Sequence, residues 1–288
     1  MKSTLFLRDL TCLDHATIDQ FGTLAGMSYN VDVMITGEVE EKEQVVIDFS
    51  KCKHQIKDLI DDFEDGFDHK CWVAHHEIKK ISETQYVVET PFLKLTGPRH
   101  LFRELDPEFT AETYIEQYLE SELSAEYPGI KIEVHLRPIG FYRGSDSRFL
   151  FRYAHGLKHS TSCGCKRIAH GHLSFVELRT KELANRNIVG GILHDMQSYI
   201  RNVYFAHREN VVEASDGRVI VRYTCDAGDD YELILNTDVH NVIILDTETT
   251  VENLTAWLVS KYYKELEDAG VTRVYMSEGL MKGAVQDI

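Results

Sequence analysis

Two hydrophobic patterns succeed each other along the chain. Apolar residues at every second position predict strands, because side chains two residues apart on a strand share a face. Apolar residues three and four positions apart predict amphipathic helices. The pattern predicts helices over residues 48–63, 110–123, 192–205 and 249–266. It predicts strands over residues 1–15, 29–39, 85–95, 130–136, 149–157, 172–180, 218–224, 231–237 and 272–278.

Capping residues support two of the predicted helix starts. Asp48 or Ser50 can accept hydrogen bonds from the first backbone N–H groups of the first helix. Thr249 and Glu252 have the spacing of a capping box at the start of the fourth helix. These residues therefore fix where the two helices are expected to begin.

The order of the predicted elements occurs twice, once in each half of the chain. A segment rich in Gly, Pro and Ser at residues 137–147 separates the copies and places the boundary near Gly144. The predicted class is α+β, with two tandem domains over residues 1–144 and 145–288. Each is expected to be a four-stranded antiparallel sheet with two helices on one face, whose other face is covered by another copy. Two unrelated α+β domains are the alternative.

Composition excludes several classes of function. The chain has 288 residues with 47 acidic and 31 basic side chains, a formal net charge of -16, which disfavours binding to nucleic acid. No apolar run approaches the roughly 20 residues of a membrane helix, and the N-terminus has no signal-peptide pattern. Six cysteines in a chain of this length do not form a disulfide framework. A cytoplasmic protein without a membrane or nucleic-acid partner is expected.

Three histidines form the strongest chemical signal. His170 and His172 are two residues apart on a predicted strand and therefore project from the same face. His155 lies near the end of a strand that is expected to pair with it. Three neutral imidazoles with one open position describe a catalytic zinc site. Two histidines with this spacing are weak evidence by themselves, since histidines also occur on solvent-exposed strand faces. The position of His155 strengthens the zinc interpretation.

The loop between His155 and His170 contains Cys163 and Cys165. A structural zinc site with two cysteines and two histidines is one interpretation, although it leaves five candidate ligands for four places. A thiolate that acts as a base or nucleophile beside a dication is the favoured one. Cys165 is preferred for this role because it is nearer the histidines. Two small loop residues without chemistry are the remaining alternative.

At these residues the sequence resembles the 6-pyruvoyl-tetrahydropterin synthase and 6-carboxytetrahydropterin synthase family. In that family a strand ends in a zinc-binding His, and a catalytic Cys and a His-Gly-His motif follow. His155, Cys165 and residues 170–172 match in the same order. The resemblance thus implies zinc as cofactor and Cys165 as a catalytic residue.

Further motifs of the resemblance are divided between the halves. The family's Asp-His pair is matched by Asp68 and His69 in the first half, whereas the second half has His207 with Ala206 in place of the Asp. The family's Thr-x-Glu-Asn-Leu helix start is matched by residues 250–254, which include Thr250 and Glu252 of the implied substrate site. Its pterin-anchoring Glu is matched by Glu278 on the closing strand.

The first half lacks the implied zinc ligands. Ala25 and Met27 stand where two of them would be, and His15 is interpreted as a remnant of the third. The first half is therefore expected to be degenerate and the second to bind zinc. Because active sites in this family form between copies, the resemblance predicts a composite site to which the first half lends Asp68 and His69.

The resemblance implies two tunnelling-fold (T-fold) domains in a homo-oligomer, a trimer or a dimer of trimers. The implied enzyme is a lyase that acts on 7,8-dihydroneopterin triphosphate. Cys165 would remove a proton, His69 or His207 would carry protons with Asp68 orienting His69, and Glu278 would bind the pterin. A 6-carboxytetrahydropterin synthase of the queuosine pathway is favoured. A 6-pyruvoyl-tetrahydropterin synthase, a non-catalytic pterin- or metal-binding paralogue and a zinc hydrolase are the alternatives.

Overall fold

The computed structural model describes residues 1–41, 44–138, 147–160, 164–180, 186–280 and 282–288, and shows a mixed α+β fold. The predicted boundary near Gly144 and the residue Cys163 lie outside these ranges. The strands of the first half are β1 Lys2–Ile18, β2 Leu24–Glu38, β3 Cys71–Val73, β4 Lys79–Lys80, β5 Tyr86–Glu89, β6 Leu93–Gly97, β7 Phe102–Glu104 and β8 Lys131–Pro138. Its helices are α1 Phe49–Asp61 and α2 Ala111–Glu126.

The second half repeats this order of elements and adds one strand, β17, at its end. Its strands are β9 Arg148–His155, β10 His170–Thr180, β11 Asn202–His207, β12 Val211–Ser215, β13 Arg218–Thr224, β14 Asp230–Asn236, β15 Asn241–Leu245, β16 Val271–Glu278 and β17 Lys282–Asp287. Its helices are α3 Arg186–Ile200 and α4 Val251–Asp268. Within the described ranges, no helix is both long and apolar enough to cross a membrane.

Helix boundaries follow from the capping residues. The carboxylate of Asp48 accepts the backbone N–H groups of Ser50 and Lys51 and begins α1, as predicted. At α4 the cap is Thr250, whose side chain accepts from Asn253 N, so the predicted cap at Thr249 is wrong by one residue.

The predicted third helix is wrong at both ends. It begins earlier, at Arg186, and ends at Ile200. The last residues of the prediction belong to β11, whose residues from Val203 to Ala206 are buried. A continuous apolar run of this length fits a buried strand as well as a helix.

The strands form three sheets instead of two. The first-half sheet has the order β7-β3-β1-β2-β8, and the second-half sheet has the order β15-β11-β9-β10-β16-β17. The prediction of four antiparallel strands in each half is wrong, because β3 and β11 run parallel to β1 and β9. The hairpins β5–β6 and β13–β14 leave their own halves and join in a shared sheet, where Leu95 pairs with Leu233.

Three hydrophobic cores hold these layers. One packs α1 and α2 against the first-half sheet, and a second packs α3 and α4 against the second-half sheet. The third joins residues of both halves with the shared sheet, including Val88, Leu95, Val221 and Leu233. Part of the face that the sequence left uncovered is therefore covered within the same polypeptide, whereas Met34 of β2 and His135 of β8 stay exposed.

The strand registers align the two halves residue by residue. Gly26 of β2 and Gly171 of β10 occupy matching places, since Gly26 pairs with Ala16 and Gly171 pairs with Ala154. The two glycines also meet where the halves touch, and a β-carbon on Gly171 would lie 2.5 Å from Cα of Gly26. Such mutual contact between matching positions is expected on an approximate two-fold axis that relates the halves.

Candidate metal and catalytic site

The hairpin of β9 and β10 brings the three histidines together. His170 pairs with His155 across the two strands, and His172 lies two residues further along β10. All three side chains are fully buried, and one ring nitrogen of each lies within 4.8 Å of the others. Nε2 of His155 and Nε2 of His172 are 3.4 Å apart.

The opposite ring nitrogens are held by the surrounding protein. Nδ1 of His155 donates to the carbonyl oxygen of Thr249 at 2.8 Å, and Nδ1 of His170 donates to that of Arg167 at 3.0 Å. Nδ1 of His172 lies 3.3 Å from a carboxylate oxygen of Asp14. Since Nδ1 of His155 and of His170 donates to a carbonyl oxygen, the Nε2 atoms of these two rings present their lone pairs to the shared centre. Nδ1 of His172 faces Asp14 but forms no hydrogen bond with a residue that the structure describes.

This donor set fits a zinc ion. Two nitrogens that bind one zinc tetrahedrally at about 2.0–2.1 Å lie about 3.3 Å apart, close to the His155–His172 separation. Nε2 of His170 is buried and has no hydrogen-bond partner in the part of the protein that the structure describes. An unpaired buried ring nitrogen is costly, and a bound cation would remove that cost.

Cys165 and the pair Asp68–His69 lie beside the histidines. The sulfur of Cys165 and one ring nitrogen each of His69 and His170 lie within 4.8 Å of one another. Nδ1 of His69 is 2.5 Å from Oδ2 of Asp68, and Oδ1 of Asp68 accepts from the backbone N–H of Asp14 at 2.8 Å. Residues of both halves therefore meet at one site within a single polypeptide.

The backbone holds His69 in this position. Its φ of 55° lies in the left-handed region, and its N–H donates to the carbonyl oxygen of Asp14 at 2.6 Å. Gly164 packs directly against His69, because a β-carbon on Gly164 would lie 2.7 Å from the β-carbon of His69 and 2.8 Å from Cγ of its ring. The buried guanidinium of Arg167 donates to the carbonyl oxygens of Asp68 and His69 at 3.2 and 3.3 Å.

The surroundings favour ionised forms of the Cys165–His69 pair. Burial raises the pKa of the Cys165 thiol, but interactions with His170 and His69 outweigh this and lower the pKa to about 4. Burial lowers the pKa of His69, but the charge and hydrogen bond of Asp68 raise it well above its usual value. The pair is therefore suited to hold a thiolate beside an imidazolium.

Glu278 ends β16 at the rim of the site. One carboxylate oxygen lies 4.0 Å from Nε2 of His172, and the other lies 2.9 Å from Nζ of Lys282. Burial raises the pKa of Glu278, but His172 and Lys282 bring it below its usual value. The carboxylate is thus an available acceptor next to the histidine centre.

The remaining predicted residues make other contacts. Thr250 caps α4, and the side chain of Glu252 is exposed in its first turn. Nδ1 of His207 lies 3.6 Å from a carboxylate oxygen of Glu248. The neighbouring Thr249, and not Thr250, contacts His155.

The strand registers also change which second-half residues correspond to the Asp68–His69 pair. Ala16 and Ala154 are equivalent, and they pair with Cys71 and Tyr204, so Cys71 is equivalent to Tyr204. Counting back along the chain, Asp68–His69 correspond to Arg201–Asn202. The register therefore matches His69 with Asn202 and not with His207, which lies at the other end of β11. A catalytic role of His207 stays a prediction.

The same alignment corrects the interpretation of His15. Thr17 pairs with Ala25 as His155 pairs with His170, so Thr17 is the counterpart of His155. His15 is buried in the first-half core, where its ring stacks on Trp72 with centroids 3.2 Å apart. It serves packing in the present structure.

Sequence reasoning missed two first-half residues of the site. Asp14 contacts His172, and the hydroxyl of Ser28 donates to the Asp14 carboxylate while accepting from Leu173 N at 3.0 Å. Burial raises the pKa of Asp14, but His172, His69 and Ser28 lower it below its usual value. In the sequence, Asp14 is marked only by being a charged residue within a strand that packs on both faces.

Comparisons with known proteins give the following likenesses. A 6-pyruvoyltetrahydropterin synthase mutant from Plasmodium vivax is 15% identical, with a TM-score of 0.37 over 48% of this chain and 99% of that chain. The Plasmodium falciparum 6-pyruvoyl tetrahydropterin synthase is 12% identical, with a TM-score of 0.36 over 49% of this chain and 99% of that chain. An uncharacterised protein from Wolinella succinogenes is 12% identical, with a TM-score of 0.35 over 49% and 94%. No family model matches the sequence, and no curated protein matches it.

Proposed function

We propose that the protein is a zinc-dependent lyase that acts on 7,8-dihydroneopterin triphosphate, with one site built from both halves. The main support for this proposal is that Cys165 and His69 lie beside three converging buried histidines. The motifs in which the sequence resembles the pterin synthase family supply the substrate class. The favoured reaction is that of a 6-carboxytetrahydropterin synthase, which would serve queuosine-type deazapurine synthesis.

Substrate binding would use the histidine centre and Glu278. His155, His170 and His172 would hold zinc, and the chemistry that a bound zinc supplies is Lewis acidity toward the hydroxyl oxygens of the substrate. The Glu278 carboxylate would accept hydrogen bonds from the amino group and a ring N–H of the pterin. These contacts would place the reacting C–H group of the substrate against Cys165.

Proton transfer would use the Cys165–His69 pair. His69 takes the thiol proton, and the resulting thiolate removes a proton from the carbon next to a substrate hydroxyl. The imidazolium of His69 can then return a proton to the substrate, while Asp68 holds Nδ1–H. We assign this role to His69 and not to His207, because His207 contacts Glu248 instead.

The direct test is turnover of 7,8-dihydroneopterin triphosphate by the zinc-loaded protein, with products separated by chromatography. Cys165→Ala and His69→Ala should each lower kcat by at least about 100-fold, the usual contribution of general acid–base catalysis. Zinc content should stay unchanged in Cys165→Ala. His207→Ala is the matched control and should keep near wild-type activity.

The outcomes separate the alternatives. Release of 6-carboxytetrahydropterin supports the favoured reaction, whereas 6-pyruvoyl-tetrahydropterin assigns the protein to simple triphosphate elimination. Activity that survives Cys165→Ala would support a zinc hydrolase. Absence of turnover with intact zinc would support a non-catalytic paralogue. A homo-oligomer, trimer or dimer of trimers, and a cytoplasmic location stay predictions.

A further inference from the structure

The approximate two-fold axis gives the metal site a counterpart elsewhere in the protein. The strand registers, counted on along the chain where a ladder ends, relate six residues of the metal site to residues of the other half. The counterparts of His155 and His170 are Thr17 and Ala25, which lie outside the pocket described next. The pairs are Asp14 with Arg152, Ser28 with Leu173, Asp68 with Arg201, His69 with Asn202, His172 with Met27, and Glu278 with Pro138. All six counterparts line one pocket of about 560 Å³. The pocket is thus the counterpart of the part of the metal site that surrounds His172.

The residues that replace those of the metal site give this pocket the opposite charge. Two carboxylates of the metal site, those of Asp14 and Asp68, are replaced by the guanidinium groups of Arg152 and Arg201. Glu278 is replaced by the uncharged Pro138, and none of the described residues that line the pocket is acidic. In a protein with a net charge of -16, such a pocket is a local concentration of positive charge.

The two arginines are free to bind a ligand. Both side chains are exposed at the pocket, and neither forms an ion pair with a carboxylate of residues 1–41, 44–138, 147–160, 164–180, 186–280 or 282–288. The backbone N–H of Arg152 donates to the carbonyl oxygen of Arg201 at 3.0 Å, which fixes the two residues side by side. Asn202, which pairs with Arg152 on the neighbouring strand, lines the same pocket, and its amide donates to the carbonyl oxygen of Leu24 at 3.5 Å.

The remaining wall of the pocket is apolar. Met27, Leu150, Leu173 and Pro138 form most of it, and the side chain of Gln197, whose amide donates to the carbonyl oxygen of Leu150, adds a polar group. A volume of this size accommodates a small organic ligand. The combination of two exposed guanidinium groups and an apolar wall favours an anion that carries a carbon skeleton.

We propose that this pocket binds a phosphorylated small organic anion, with Arg152 and Arg201 on the phosphate oxygens and the organic part on the apolar wall. The metal ligands have been lost here, and the cationic groups that replaced the carboxylates give the duplicated site a binding role of its own. Binding at this pocket requires neither a metal nor turnover at the histidine centre.

Binding of inorganic triphosphate and of GTP to the full-length protein, measured by isothermal titration calorimetry, tests this assignment. Arg152→Ala and Arg201→Ala should each weaken binding by roughly tenfold or more, because each removes a charge-assisted hydrogen bond. Arg222→Ala, which removes an exposed arginine paired with Glu232, is the matched control and should leave binding unchanged.

The His170→Ala variant separates this pocket from the metal site. Binding that persists in this variant and falls in both pocket variants supports the proposal, and tighter binding of GTP than of triphosphate identifies the organic part as recognised. The proposal is overturned if neither anion binds, if the two pocket variants bind as well as wild type, or if binding disappears in His170→Ala. Circular dichroism spectra of all variants establish that they are folded.

Discussion

Cys165 is the residue whose ionisation matters most for the proposed chemistry. Its pKa is lowered to about 4, whereas burial raises the pKa of the Cys12, Cys52 and Cys71 thiols. The Cys165 thiolate should therefore persist down to acidic pH. In metal-free protein we expect iodoacetamide to alkylate Cys165 at pH 6 well before these three thiols, as followed by peptide mass spectrometry.

The pH dependence of this alkylation has a definite sign. A lowered pKa keeps the rate near its plateau from pH 8 down to about 5, and the rate falls only as pH approaches the pKa of about 4. His69→Ala removes one of the stabilising interactions, so its midpoint should move to higher pH. A wild-type midpoint near the ordinary thiol pKa would contradict the described environment.

Asp14 is a positioning residue for the metal site, because its carboxylate faces Nδ1 of His172. Groups that hold the outer nitrogen of a metal-binding histidine commonly contribute about 10–100-fold to metal affinity. Asp14→Asn should therefore weaken zinc binding by that factor in a chelator competition. Asp9→Asn on the same strand, where the carboxylate pairs with the exposed Arg137, should leave the affinity unchanged.

Among the elements, β2 and β10 cross so closely that only glycine fits. A β-carbon on Gly26 would lie 1.9 Å from the carbonyl oxygen of Tyr153 and 2.5 Å from His172 N. Gly26→Ala should lower the free energy of unfolding by about 1–3 kcal/mol, as overpacking does, and disturb the metal site. Chemical denaturation with zinc titration measures both effects.

Gly190→Ala is the matched control for this change. A β-carbon at Gly190 in α3 meets no atom within 4 Å, and alanine favours the helix by about 0.5–1 kcal/mol. This variant should be as stable as wild type or more so. Equal loss of stability in both variants would argue against the close crossing.

The elements differ in how far the sequence predicts them. Alternation and capping predict β2, α1 and α2, because these have one apolar face or a clear cap. The sequence pattern of residues 172–180 also predicts β10, although both faces of this strand are buried. Alternation and capping miss β3, β7 and β15, which are short and gain their stability from neighbouring strands. The partner of the hairpin β5–β6 is likewise set by tertiary contacts, which no local pattern encodes.

The site shows the same division between local and distant information. The spacing of His170 and His172 predicts a shared face, and the structure pairs them with His155 as that pattern requires. Asp14 and Ser28 could not be predicted, since they reach His172 and Leu173 only through the packing of one half on the other.

At the scale of the whole molecule, the duplication has produced two unlike pockets from one plan. One unites three histidines with Asp14 and the pair Asp68–His69, and its counterpart has arginines in place of the two aspartates. Neither half contains all the groups of either pocket. The two halves are therefore expected to function only as one folded unit.

Each polypeptide is expected to hold a single metal site, formed in the second half and completed by the first. Zinc content of the purified protein, with His170→Ala measured beside it, tests this most directly. We expect about one zinc per polypeptide in the wild type and loss of that zinc in the variant, because removing one of three ligands opens the site. No zinc in the wild type, two zinc ions per polypeptide, or full retention in His170→Ala would contradict it.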